Sequence, residues 1–266
     1  MNILIFGDGL LGQAIARAFV DRGDGPPTVI GRPGSSGHDP RELPRVDVVV
    51  DASRAEAVVG NTAAAIDAGA HRFILATTGW ADNADAVTAL LVRHRASAVV
   101  APNLSLGVAL FGRLVERATA LFGPFEDVDP YVLEWHRRAK ADRPSGTARD
   151  LANRILANHP RKRRLADPGA DGPPAADELE LAVLRAGASP GMHLVGFDAP
   201  GETIELRLTA RDRSAYAAGA LLAADWLMAA PREPGIHPFD AVVDDRLAGI
   251  DRPDPRPAAI SVLAAR

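Results

Sequence analysis

A glycine-rich run near the start of the chain constrains the fold more than any other feature, and it comprises Gly7, Asp8, Gly9, Leu10, Leu11 and Gly12. The run follows the apolar residues 2–6 and opens a helical pattern, which is the context that a dinucleotide-binding loop requires. The first glycine of such a loop makes the turn, the second lets the backbone approach a pyrophosphate, and the third lets the helix pack closely on the strand. Amides at the helix start then face the anion. We interpret the run as a cofactor loop, and the alternative is a glycine-rich turn without a ligand.

The residues after the second apolar run bear on the choice of cofactor. About 20 residues beyond the last glycine, an NAD-specific site usually carries an acidic residue for the ribose hydroxyls. This chain has Gly31-Arg32 there instead. An arginine can pair with a 2′-phosphate, so the sequence favours NADPH and leaves NADH possible. The alternative for Arg32 is a solvated loop charge.

Short apolar runs alternate with helical patterns over the first hundred residues. We predict strands at 2–6, 28–30, 46–51, 73–76 and 98–101, and helices at 11–22, 54–68 and 84–95. This rhythm predicts a doubly wound parallel sheet of the Rossmann type. Ligands bind at the carboxyl edge of such a sheet. Two strand ends there supply further candidates for the cofactor site, with plain strand-to-helix punctuation as the alternative: Thr77, Thr78, Gly79, Ala101, Pro102 and Asn103.

The rhythm changes from about residue 107. The patterns predict helices at 107–122, 147–158 and 213–230, a loop at 159–177, and strands at 128–136, 180–185, 192–198 and 202–209. The last two strands form a hairpin, because Ile204, Leu206 and Leu208 alternate with polar neighbours. The chain therefore contains a second, mixed α/β domain, and the Pro-rich residues near the end are left unassigned.

Composition narrows the function classes. The chain has no Cys, which excludes disulfides, thiolate nucleophiles and Cys-rich zinc sites, and we predict no metal centre. A net charge of −4 makes nucleic acid an unsuitable main partner. No run approaches the roughly 20 apolar residues of a membrane span, and the first residues do not resemble an export signal. We expect a cytoplasmic protein without a membrane or nucleic-acid partner.

The stretch 134–148 is the most informative for chemistry. It places His136 and Lys140 just before Ser145-Gly146-Thr147 at a predicted helix start. Exposed amides there, the Thr147 hydroxyl and the Lys140 ammonium would together bind a carboxylate. His136 titrates near neutral pH and could move a proton. The alternatives are a structural histidine and a solvated basic face, but the combination favours a small acidic substrate.

These motifs resemble the 4-hydroxy-tetrahydrodipicolinate reductase (dihydrodipicolinate reductase) family over about residues 1–245. The run Lys-x-Asp-x-Pro-Ser-Gly-Thr-Ala at 140–148 is the most specific of them. The other matching segments are the glycine loop and residues 77–79, 101–108, 134–139, 185–187, 201–213 and 219–220.

The resemblance implies a reductase that transfers hydride from NAD(P)H to a cyclic, unsaturated dicarboxylate. It implies a dinucleotide-binding domain at residues 1–106, and residues 214–245 would return to this domain. A substrate-binding and tetramerisation domain would occupy residues 107–213, and the tail at 246–266 has no assigned role. His136 and Lys140 would be catalytic, and the substrate contacts would be Arg137, Ser145, Gly146 and Thr147. The cofactor site would comprise Gly7, Asp8, Gly9, Leu10, Leu11, Gly12, Arg32, Thr77, Thr78, Gly79, Ala101, Pro102, Asn103 and Arg213.

One position departs from the family pattern. Family members usually have two adjacent histidines followed by Arg, and here Arg137 stands in place of the second histidine. An arginine could bind a carboxylate through its planar fork, or it could indicate a different substrate. Two alternatives therefore stay open: a divergent Rossmann oxidoreductase acting on another dicarboxylic amino or imino acid, and a non-catalytic NADP(H)-binding regulator.

Overall fold

The computed structural model of the protein describes residues 1–32, 38–101 and 103–248. Pro102 and residues 249–266 of the predicted tail lie outside the described residues. The strands are β1 (Ile3–Phe6), β2 (Thr28–Ile30), β3 (Val48–Asp51), β4 (Arg72–Leu75), β5 (Ser97–Val100), β6 (Asp129–His136), β7 (Arg164–Leu165), β8 (Glu178–Arg185), β9 (Met192–Ala199), β10 (Glu202–Thr209) and β11 (Gly235–Pro238). The α-helices are α1 (Leu10–Asp21), α2 (Val58–Asp67), α3 (Ala84–Arg93), α4 (Leu106–Phe122), α5 (Gly146–Asn158), α6 (Ser214–Ala229) and α7 (Phe239–Leu247).

The first sheet has six parallel strands in the order β11, β5, β4, β3, β1, β2. All residues of β1 and β3 are buried, as expected for strands covered on both faces. Ile3 and Ile5 lie in a core formed with α1 and α6, whereas Leu4 and Phe6 lie in a core formed with α2 and α3. The predicted doubly wound parallel sheet is confirmed.

The second sheet is mixed and has the order β10, β9, β6, β8, β7. Strand β6 runs parallel to β8 and antiparallel to β9, and β9 and β10 form the predicted hairpin. Helices α4 and α5 cover one face through a core that includes Val115, Val132 and Leu151. The predicted mixed α/β architecture of this half is therefore confirmed.

The opposite side of the second sheet presents apolar side chains. Alternation along β6 and β8 places them on the face away from Val132, and Leu184 among them is 47% exposed. We call this set the open face, and it consists of Leu133, Trp135, Ala182 and Leu184. Helices α4 and α5 lie on the other side of the sheet, and of the open face Leu184 is exposed while Leu133, Trp135 and Ala182 are half-buried.

The last part of the chain returns to the first sheet. Helix α6 packs against α1, and β11 pairs in parallel with β5 at the sheet edge. The sequence patterns predicted α6 but neither β11 nor α7, because a four-residue strand with Gly235 and Pro238 at its ends has weak strand propensity. The loop predicted at 159–177 is wrong at two residues, where β7 pairs with the edge of β8 through its backbone.

Candidate active site

The glycine loop leaves β1 beside β3, at the point where the order of the parallel strands reverses. Gly7 has a φ of +107°, which favours glycine, and a Cβ there would collide with the backbone of Ala52. A Cβ at Gly12 would collide with the Gly7 carbonyl, so only glycine lets α1 pack so closely. A Cβ at Gly9 would meet no described heavy atom within 4 Å, which leaves this side of the loop open. The loop therefore fits a dinucleotide pyrophosphate.

A pocket beside the loop brings a cation and a carboxylate together. Arg32, His38 and Arg54 line it with the glycines. The Asp8 carboxylate lies against Gly31, since a Cβ at Gly31 would be 2.9 Å from Asp8 Oδ2. Sequence reasoning selected Arg32 and Asp8 but missed His38 and Arg54. Arg54 lies just beyond the carboxyl end of β3, and that position is the signal by which it could have been found.

A buried carboxylate that the sequence analysis did not select connects two loops of this crevice. Asp51, at the end of β3, is 1% exposed. It accepts hydrogen bonds from the Ser53 hydroxyl at 2.7 Å, the Asn61 amide at 2.9 Å and the Thr77 hydroxyl at 2.6 Å. The signal was an acidic residue closing an otherwise apolar strand. Thr77 thus supports the crevice through Asp51.

The other predicted cofactor residues lie in three places: at the larger cavity, in the first turn of α1 and after β4. Thr78, Ala101 and Asn103 line a larger cavity on the substrate side of the sheet edge. Leu10 is exposed and Leu11 half-buried in the first turn of α1, and Gly79 has a φ of +84° after β4. Pro102 lies outside the described residues.

The predicted carboxylate-binding turn faces this larger cavity. Ser145 caps α5, because its hydroxyl accepts a hydrogen bond from the Ala148 amide at 3.1 Å. Gly146 and Thr147 line the cavity, and the Asn103 amide donates a hydrogen bond of 3.4 Å to the Thr147 hydroxyl. The turn that follows β6 of the second sheet therefore meets the carboxyl edge of the first sheet.

Lys140 and His136 line the same cavity. The Lys140 ammonium lies 2.6 Å from the Asp142 carboxylate, and this hydrogen bond lowers the pKa of Asp142. The cavity is thus bordered by the Lys140 ammonium, the His136 imidazole and the residues that begin α5. These are the groups that a carboxylate and a proton transfer require.

Glu134 is a buried residue that contacts both the start of α5 and His136. Its carboxylate is completely buried, and Oε1 accepts hydrogen bonds from the Ser145 backbone at 2.9 Å and from Arg185 at 2.7 Å. Burial alone raises the pKa of Glu134, but these hydrogen bonds outweigh burial and lower it. The other oxygen, Oε2, lies 3.4 Å from His136 Nε2. One carboxylate thus contacts both the helix start and the histidine.

His193 is a further residue that the sequence analysis missed. It lies on β9 directly opposite Glu134, and its ring centre is 5.2 Å from that of His136. Burial, followed by the proximity of His136, lowers the pKa of His193 to about 4. Burial also lowers the pKa of His136, although Glu134 opposes the change. A histidine in an otherwise apolar buried strand was the available signal.

Seven described residues of the predicted site line neither cavity, and they are Leu10, Leu11, Gly12, Thr77, Gly79, Arg137 and Arg213. Arg137 is exposed, and its backbone amide donates to the Ser189 carbonyl at 2.8 Å. Arg213 is exposed at the residue before α6. Within the described residues neither side chain lines the glycine-loop pocket or the larger cavity. Their predicted roles stay predictions.

The two cavities meet the requirements of a nicotinamide-dependent oxidoreductase. One holds a cradle for a pyrophosphate at a reversal of strand order, and the other holds an anion-binding helix start with an imidazole and an ammonium. A dihydrodipicolinate reductase C-terminus model matches residues 107–243, and a dihydrodipicolinate reductase N-terminus model matches residues 35–104. The chain belongs to the dihydrodipicolinate reductase family, as the resemblance predicted, and is an NAD(P)H-dependent reductase.

Relatives agree with this family. The 4-hydroxy-tetrahydrodipicolinate reductase of Myxococcus xanthus is 36% identical, over 86% of this chain and 92% of the relative. The protein of the same name from Methanoregula boonei is 35% identical, over 74% of each chain. The structure of dipicolinate-bound dihydrodipicolinate reductase from Paenisporosarcina sp. TG-14 has a TM-score of 0.65 at 19% identity, over 90% of this chain and 97% of that chain. This structural likeness supports the fold.

The helices of the described segments were also compared with the dimensions of a bilayer. Among residues 1–32, 38–101 and 103–248, no helix combines the length and the apolar character that crossing a membrane requires.

Proposed function

We propose that the protein reduces 4-hydroxy-tetrahydrodipicolinate to tetrahydrodipicolinate with NAD(P)H, in the biosynthesis of lysine and diaminopimelate. The observation that carries the proposal is the shared cavity in which Lys140, His136 and the start of α5 face Asn103 and Ala101 of the first sheet. The relatives that carry this activity in their names support the choice of substrate.

The residues that line the cavity have separate roles in binding the substrate and positioning it. Loss of the 4-hydroxyl as water gives a cyclic, unsaturated dicarboxylate, to which a bound reduced nicotinamide would add hydride. The amides of Gly146 and Thr147, together with the Thr147 hydroxyl, hold one substrate carboxylate, and Lys140 offers it a positive charge. Glu134 holds the Ser145 amide and so keeps this helix start aimed at the cavity.

His136 moves the proton that accompanies reduction. Its lowered pKa leaves the imidazole neutral in the free protein at neutral pH. A dianionic substrate in the cavity favours the charged imidazolium, so binding itself promotes protonation of His136. Lys140 is the second proton donor within the same cavity.

The decisive experiment follows NADPH absorbance while the preceding synthase generates the substrate in situ. Wild-type protein is expected to turn over, and His136→Gln to lower turnover substantially with nearly unchanged NADPH affinity. Equal turnover in this variant would remove His136 from the mechanism. NADPH binding without turnover in the wild type would favour a regulator, and turnover only with another imino or amino dicarboxylate would favour the divergent oxidoreductase.

Cofactor choice follows from the glycine-loop pocket. We propose that Arg32 pairs with the 2′-phosphate and makes NADPH the favoured cofactor, while the Asp8 carboxylate beside Gly31 lets NADH bind as well. Arg32→Glu is expected to weaken NADPH more than NADH, as measured by fluorescence titration of each. Unchanged selectivity would refute the role of Arg32.

The assembly proposed for the protein is a homotetramer. The open face supports it, because an uncovered sheet face with Trp135 and the exposed Leu184 marks an interaction surface. We also propose that residues 107–213 form the substrate-binding and tetramerisation domain. A biosynthetic reductase that draws on NADPH suits the cytoplasm, and we propose that location, with a small dicarboxylate rather than a nucleic acid or membrane as partner.

A further inference from the structure

The side chains of three buried residues lie close together beneath the larger cavity. Glu134, His136 and His193 each offer one donor atom, and these atoms all lie within 4.8 Å of one another. The three residues are 0%, 9% and 6% exposed. Among the described residues, Glu134 Oε2, His136 Nε2 and His193 Nδ1 have no hydrogen-bond partner. Buried polar atoms without partners are uncommon in proteins, and an ordered water or an ion is a common way to satisfy them.

We propose that Glu134, His136 and His193 bind Zn²⁺ or a similar divalent transition metal, and that the bound metal inhibits the enzyme by occupying the lone pair of His136. The sequence analysis predicted no metal centre, since it relied on the absence of Cys. Binding of the metal is independent of the proposed function, whereas the inhibition rests on it.

The donor set suits zinc. Two imidazoles and a carboxylate, with a fourth position open to water, form a common zinc site. Zinc bonds of about 2.0–2.1 Å place neighbouring donors of a tetrahedral site roughly 3.4 Å apart. Glu134 Oε2 and His136 Nε2 are 3.4 Å apart. His193 offers a donor atom within 4.8 Å of the other two, and both histidines line the larger cavity.

The outer hydrogen bonds of Glu134 also suit a metal. Hydrogen bonds from Ser145 and Arg185 hold the Oε1 atom of Glu134 and leave Oε2 free. Outer hydrogen bonds of this kind orient metal-binding carboxylates.

The surrounding charges make the site weak rather than permanently filled. Arg185 contacts the same carboxylate at 2.7 Å, and Lys140 lines the cavity above it. Both cations reduce the attraction for a dication, and the Asp142 carboxylate beside Lys140 restores only part of it. We expect Zn²⁺ and the substrate dicarboxylate to compete, because both use the cavity that His136 and Lys140 line, with NADPH affinity unaffected.

The test titrates the substrate-free protein with Co²⁺, whose intense visible absorption in four-coordinate sites reports binding without any need for turnover. Wild-type protein is expected to bind one Co²⁺, which Zn²⁺ displaces. His193→Gln and His136→Gln are each expected to lose this absorption. His71→Gln, which changes an exposed histidine, is the matched control and is expected to bind as the wild type does. NADPH titration confirms that each variant is folded.

Inhibition is measured next, as the ratio of the rate with Zn²⁺ to the metal-free rate of the same variant. The wild type is expected to lose activity in competition with substrate, to recover it with a chelator, and to differ from His193→Gln, whose ratio stays near one. Absence of the one-to-one Co²⁺ absorption in the wild type, or equal Co²⁺ binding by His193→Gln, would overturn the site. Co²⁺ binding without turnover would instead contradict the proposed function alone.

Discussion

His193 makes the stability of the protein depend on pH in a way that one substitution isolates. The pKa of this buried imidazole falls from 6.5 to about 4, chiefly through burial. Between about pH 4 and pH 6.5, His193 is therefore protonated in the unfolded chain but not in the folded protein. The free energy of unfolding has its full value above this pH range and decreases as the pH falls through it. One pKa unit corresponds to about 1.4 kcal/mol, so His193 costs the folded state about 2 kcal/mol at pH 5 and about 3 kcal/mol once the pH is below 4.

The assay measures urea unfolding of the wild type and of His193→Gln at pH 7.5 and at pH 5. The variant loses packing at both pH values, but the difference between the two proteins is expected to shift in favour of the variant by about 2 kcal/mol on acidification. His71→Gln serves as the control, because this exposed histidine has no burial to relieve. A pH-independent difference between the wild type and His193→Gln, or an NMR titration of His193 near pH 6.5, would refute the reasoning.

Three further changes test other parts of the structure. Gly12→Ala is expected to cost about 1–3 kcal/mol of stability and to weaken NADPH binding in a fluorescence titration, whereas Gly9→Ala, with open space for its Cβ, should leave the melting temperature nearly unchanged. Glu134→Gln leaves the buried Arg185 without its charge partner and is expected to cost about 3–5 kcal/mol in urea unfolding; wild-type stability would contradict the pairing. Leu184→Arg on the open face is expected to dissociate the proposed tetramer in sedimentation velocity, and an assembly that stays intact would exclude this face as the interface.

Much of the fold could be predicted from local patterns. The apolar runs and the glycine loop predicted the parallel sheet, and most element boundaries lie within two residues of the prediction. Strand β11 was missed because its two terminal residues, Gly235 and Pro238, suppress the local signal, and only its pairing with β5 makes it a strand. Local propensity cannot report such a pairing, since the partner lies far away in the chain.

By itself the sequence determined the loop that fits the pyrophosphate and the helix start that fits a carboxylate, because both depend on consecutive residues whose conformations are set by their neighbours. Tertiary structure alone decided what surrounds His136. Glu134 faces His136 because alternate residues of one strand share a side, but Arg185 and His193 reach it only through the order and register of β8, β6 and β9. Burial then changes the pKa values of these groups, and burial depends on the whole fold.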